Sequence, residues 1–77
     1  MNKEQEKSFE PFVKKAKEKN VHKVICLWAI GSMLNSNDWK ATLEDIMDML
    51  DKSANGDDFA TALLKKYPGQ PVAEQTE

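Results

Sequence analysis

His22 and Cys26 are the residues of this 77-residue chain whose types are best suited to chemistry, and their i, i+4 spacing would set both on one face of a helix. Together they are half of a structural zinc site, which takes four nitrogen or sulfur ligands. The chain holds one histidine and one cysteine, so no second pair completes the set. Cys26 therefore reads as a small buried hydrophobe, His22 as a first-turn helix residue, and neither a metal nor a cofactor is expected.

A second candidate lies further along. Asp51, Ser53, Asn55 and Asp57 resemble the oxygen ligands at positions 1, 3, 5 and 7 of an EF-hand loop, with Gly56 at position 6. Position 12 of such a loop needs a bidentate glutamate, and Ala62 stands there; Asp58 takes the apolar position 8. That leaves at most a weak divalent-metal-responsive module over 51–62. The simpler reading is a junction between two helices, with Gly56 as the C-cap of one and Asp57 or Asp58 as the N-cap of the next.

The third constellation is an acidic stripe, Glu44, Asp45, Asp48 and Asp51. The formal charge of −2 is a sum of unequal parts: +3 over residues 1–37, −5 over 38–58 and zero beyond. A helix–turn–helix built from the middle of the chain would present this acidic segment to phosphates and be repelled, since affinity for nucleic acid comes largely from cations. All eleven cations are lysines, and arginine is the favoured bidentate phosphate ligand. No direct nucleic-acid partner is expected. The stripe is either a solvated face or a surface that docks on a basic partner, and in the second case the chain could be an inhibitor of a nucleic-acid-binding protein. There is no Ser-His-Asp arrangement and no phosphate-binding glycine loop, so the chain is read as a non-enzyme.

These residues need elements to position them. Residues 1–7 read as a frayed polar N-terminus. Phe9, Phe12, Val13 and Ala16 then repeat at helical spacing, predicting a first helix over 8–19 with Ser8 as N-cap and Pro11 in the first turn. An earlier start, with Pro11 inside the helix, is the alternative. Asn20 is the expected N-cap of a second helix over 21–34. Trp39, Leu43, Ile46, Met47, Leu50 and Ala54 mark a third over 39–54, regular only from Thr42 if Thr42 and Asp45 form a capping box. Phe59, Ala60, Leu63, Leu64 and Tyr67 mark a fourth over 58–67, ended by Pro68-Gly69. Residues 68–77 read as a disordered polar tail.

The expected architecture is one all-α domain over 8–67, a compact bundle of three to four short helices with the second one central. That helix carries seven unbroken apolar residues, Val24 to Ile30, and is apolar all round. A helix apolar on every side must be buried on every side, and three short neighbouring stripes barely suffice. Any excess is an exposed patch of the kind that marks an interface. Leu27, Ile30, Met33, Leu34, Trp39 and Met49 are the expected apolar contact residues. The expected function is thus a small non-catalytic regulatory or adaptor protein that binds another protein, or itself as a homodimer, with the acidic face tuning partner choice. No run reaches the roughly 18 apolar residues of a membrane span. The polar start MNKEQEKSF and the unpaired cysteine give the cytoplasm as the expected location.

Overall fold

The computed structural model describes residues 1–69. The tail expected over 68–77 lies, from residue 70 onward, outside the described residues. Four helices and no strand occur among the described residues: α1 (Lys3–Glu18), α2 (Lys23–Leu34), α3 (Trp39–Lys52) and α4 (Gly56–Lys66). The fold is the expected all-α bundle. None of its helices is long and apolar enough to cross a membrane.

Helix α1 begins five residues before the expected start. Asn2, not Ser8, is its N-cap. The Asn2 side chain accepts the Gln5 N–H at 2.8 Å, and the Asn2 N–H donates to Gln5 Oε1 at 2.9 Å, a reciprocal capping box. Residues 1–7 are therefore mostly helical rather than frayed. Pro11 sits inside the helix and removes the N–H that would reach the Lys7 carbonyl. Both residues are exposed, so water can satisfy that carbonyl.

Asn20 does not cap α2. It ends α1 at φ 60°, in the left-handed region that asparagine tolerates better than most residues. The Val21 N–H donates to the Ala16 carbonyl at 2.9 Å and the Asn20 N–H to the Lys17 carbonyl at 3.1 Å, a complete Schellman motif. His22 caps α2 instead, its Nδ1 accepting the Val24 N–H at 3.1 Å. Asp38 caps α3 by accepting the Ala41 N–H at 3.2 Å. The helix is regular from Trp39, and Thr42 donates to Ser36 Oγ and the Asp38 carbonyl rather than starting a capping box of its own.

The α3–α4 junction has the expected length of three residues but lies two residues earlier, over residues 53–55. Helix α3 stops at Lys52, two residues early, because the buried Ser53 turns into extended backbone and its hydroxyl donates to the Met49 carbonyl at 2.7 Å. Asn55 is the N-cap of α4, accepting the Asp58 N–H at 2.9 Å, while Asp58 accepts the Ala54 N–H at 3.0 Å. Gly56 is thus the first residue of α4 and not a C-cap. Its φ is not positive. Glycine is needed there because a Cβ would lie 2.3 Å from the Asn20 carbonyl oxygen. The α1–α2 turn and the start of α4 meet backbone to backbone.

Helix α3, and not α2 as expected, is the central one: it packs against all three of the others, while α2 leaves Val24, Leu27 and Leu34 exposed. The core is Phe9, Phe12 and Ala16 of α1, Ala29 and Met33 of α2, Ile46 and Leu50 of α3, and Phe59 and Leu63 of α4. Phe12 and Phe59 stack tilted at 6.1 Å, and Phe9 meets Trp39 edge to face at 5.6 Å. Lys19 closes one end of this arrangement. Its Nζ donates to the carbonyls of Leu50, Asp51 and Ser53 at 2.7, 3.2 and 2.7 Å, placing a cation at the negative end of the α3 dipole.

Candidate functional site: an apolar trough between α1 and α2

Helix α2 has more apolar surface than the bundle covers. Ala29 and Met33 are buried, but Val24 is 57% exposed, Leu27 49% and Leu34 39%. At about 100° per residue these three fall within an arc of about 80°, so they form one strip along the helix. Only one charged residue, Lys23, occurs in the whole of α2. Beside the strip runs a groove of about 340 Å³ lined by Val13, Ala16 and Lys17 of α1, Val21 of the turn, and Lys23, Cys26, Leu27 and Ile30 of α2. The α2 members have the i, i+3, i+4, i+7 spacing of one helical stripe. A second groove of about 370 Å³ continues it toward the start of α1, between Glu6, Phe9, Glu10, Val13, Lys14 and Ile30. The grooves share Val13, Lys17 and Ile30, so they form one trough. From Glu6 to Lys17 it extends about 17 Å along α1.

The trough has an apolar floor and charged ends. Glu6 and Glu10 stand at one end, Lys17 and Lys23 at the other, with Lys14 between. None of these five forms an ion pair within the chain among the described residues. Cys26 is half-buried in the trough, and burial pushes its thiol above the ordinary range although Lys17 pulls the other way.

Of the expected contact residues, Leu27, Ile30 and Leu34 reach this surface. Met33 does not: it is fully buried, on the side of α2 turned into the core. Trp39 is half-buried against Phe9, with the Lys40 ammonium 5.6 Å from its ring centre. Met49 is half-buried against the core on α3. Val13, Val21, Val24, Cys26, Lys17 and Lys23 line or flank the trough but were outside the expected set. The signal for Val24 was its place on an all-apolar helix; which side of such a helix stays open depends on packing, not on the pattern.

The acidic stripe is divided among partners inside the chain. Asp45 accepts from the Tyr67 hydroxyl at 2.6 Å and pairs with Lys66 at 2.9 Å. Asp48 pairs with Lys52 at 3.0 Å, and Asp51 pairs with Lys15 of α1. Glu44 is exposed. The EF-hand-like reading fails on geometry: residues 56–62 are helical, and only Ser53, Ala54 and Asn55 link α3 to α4. The Ser53 hydroxyl and the Asn55 and Asp58 side chains already serve the helix ends. No group of three or more His, Cys, Asp or Glu side chains that could hold a metal occurs among the described residues, and His22 is occupied as a cap.

The Asp45–Tyr67 bond has a pH signature. The Tyr67 hydroxyl, with help from Lys66, holds the Asp45 carboxyl below the usual carboxylate range. Burial first, then the Asp45 carboxylate, pushes the Tyr67 phenol up to about 12. For the aspartate, the folded value lies below the unfolded one, so its contribution is present above about pH 4 and is lost as pH falls. For the tyrosine, the folded value lies above the unfolded one, so its contribution is present below about pH 10 and is lost between there and about pH 12. Tyr67 is the only tyrosine, which makes phenolate absorbance a direct readout. In Asp45→Asn its titration should move down from about 12 while staying above the ordinary value, because burial remains. An unmoved titration would show that Asp45 does not act on Tyr67.

Compared with models of protein families, with curated proteins and with solved structures, the chain matches none.

Proposed function

We propose that this chain is a small non-catalytic binding protein, regulatory or adaptor in role, that docks a complementary apolar protein surface in the α1–α2 trough. The observation that carries the reading is the strip of Val24, Leu27 and Leu34 left open beside an apolar groove on a helix with a single charge. Exposed apolar strips of this kind, rimmed by charge, serve as protein interfaces. In helix-in-groove docking the incoming amphipathic helix supplies the anchors, and an apolar groove such as this one receives them. On this reading the exposed acids of α3, Glu44 and Asp48, tune the association rate and the choice of partner more than the affinity. The free thiol of Cys26 supports a reducing compartment such as the cytoplasm.

Leu27→Glu tests the proposal. Leu27 is half exposed and outside the core cluster, so the substitution should leave the helical spectrum and the thermal midpoint close to those of the parent. Proteins retained by the parent chain from a native host extract should be lost from the variant. An identical retained set on both would contradict the proposal.

A further inference from the structure

Resting on the docking role of the trough, we infer that its occupant is a second copy of this chain, placed across a two-fold axis with the two troughs running in opposite directions. The charge pattern carries the inference. An isologous interface sets a surface against itself, and with the two-fold axis perpendicular to the trough each end meets the opposite end of its copy. Here Glu6 and Glu10 stand toward one end and Lys17 and Lys23 toward the other, with Lys14 beside Val13 and Ile30 at the middle. A two-fold axis through that middle brings carboxylates onto ammoniums twice over. A parallel placement would set like charges together.

The shape follows the same logic. The Val24–Leu27 strip projects beside the lysine end, and the groove floored by Phe9, Val13 and Ile30 lies at the glutamate end. Antiparallel placement therefore offers each projecting strip to its copy's groove. A standard interface takes about 800 Å² per partner, roughly a sixth of the 5052 Å² of this chain. A chain of this size with one cysteine has no internal disulfide, and oligomerisation is one of the few remaining ways to add buried area.

The test is sedimentation of the full chain through the micromolar range at low salt, with two charge variants. One carries Glu6→Lys and Glu10→Lys, the other Lys17→Glu and Lys23→Glu. All four sites are exposed, and circular dichroism confirms that each variant is folded. The parent should self-associate. Each variant alone should dimerise about tenfold more weakly, and an equimolar mixture of the two should return to the parent's behaviour, because the reversed ends are again complementary. Alkylation of Cys26, half-buried in the trough, should slow as parent concentration rises, and should not slow for either variant alone. A parent that stays monomeric overturns the inference, as does self-association that the variants leave unchanged or that the mixture fails to restore. A monomeric parent whose host partners are still lost in Leu27→Glu would overturn this inference alone and leave the docking role standing.

Discussion

Phe12→Ala should abolish most of the stability of this fold. Phe12 is fully buried and has its ring against Phe59 at 6.1 Å, at the contact between α1 and α4. Truncating a buried phenylalanine removes its transfer free energy and leaves a cavity, together about 4 kcal/mol. A domain this small holds about 5 kcal/mol in total, so the variant should sit near its unfolding midpoint at room temperature. In a parent–variant comparison by thermal circular dichroism the midpoint should fall by about 20 °C. A fall of only a few degrees would mean that α1 is not anchored through this ring.

Gly56→Ala is the second large effect, and its sign is informative. At an ordinary helical position alanine is favoured over glycine by up to about 1 kcal/mol. At the start of α4 the added Cβ would meet the Asn20 oxygen at 2.3 Å, the Asn20 carbonyl carbon at 2.7 Å and the Val21 Cα at 2.8 Å. All three are backbone atoms of the α1–α2 turn, which the Schellman bonds hold in place. They cannot swing aside as a side chain would, so the turn and α4 must separate. Overpacking of this kind costs about 3 kcal/mol. Urea unfolding should give a lower midpoint with an unchanged slope. A midpoint equal to or above the parent's would show that the turn and α4 do not make this close approach.

The same glycine shows where legibility ended. As a residue type Gly56 pointed to a helix end, and it is at one, but of the other helix and for a reason of packing. The stripes of α1, α3 and α4 were readable because a period of 3.6 is a local property: Phe9, Phe12, Ala16, Ile46, Leu50, Phe59 and Leu63 are all buried. Asn20 had two local readings, since asparagine both starts helices and tolerates the left-handed turn that ends them. Asn2 and Gln5 carried a capping box in plain view, outweighed by the proline nine residues beyond Asn2. The remaining features join residues far apart in the chain. Lys19 reaches carbonyls 31 to 34 positions away, Lys15 reaches Asp51, and Tyr67 reaches Asp45. No periodicity encodes these contacts, and they are what tie Asp45 and Asp51 of the acidic stripe to partners within the chain.

The trough was legible in part for the same reason. An all-apolar α2 implied surplus surface, and Leu27, Ile30 and Leu34 were found on it. Which arc would stay open was decided by how α1 and α3 pack, and that packing also turned Met33 inward and added Val24, Lys17 and Lys23 to the surface.

The surplus surface of α2 is proposed to meet protein. A photoreactive leucine analogue at position 27, irradiated in the native host cell, tests it most directly, with the same group at the exposed Thr61 of α4 as the comparison. Discrete protein adducts are expected from position 27 that position 61 does not give, whether the captured chain is a second copy or another protein. No adduct from position 27, or the same adducts from both positions, would contradict it.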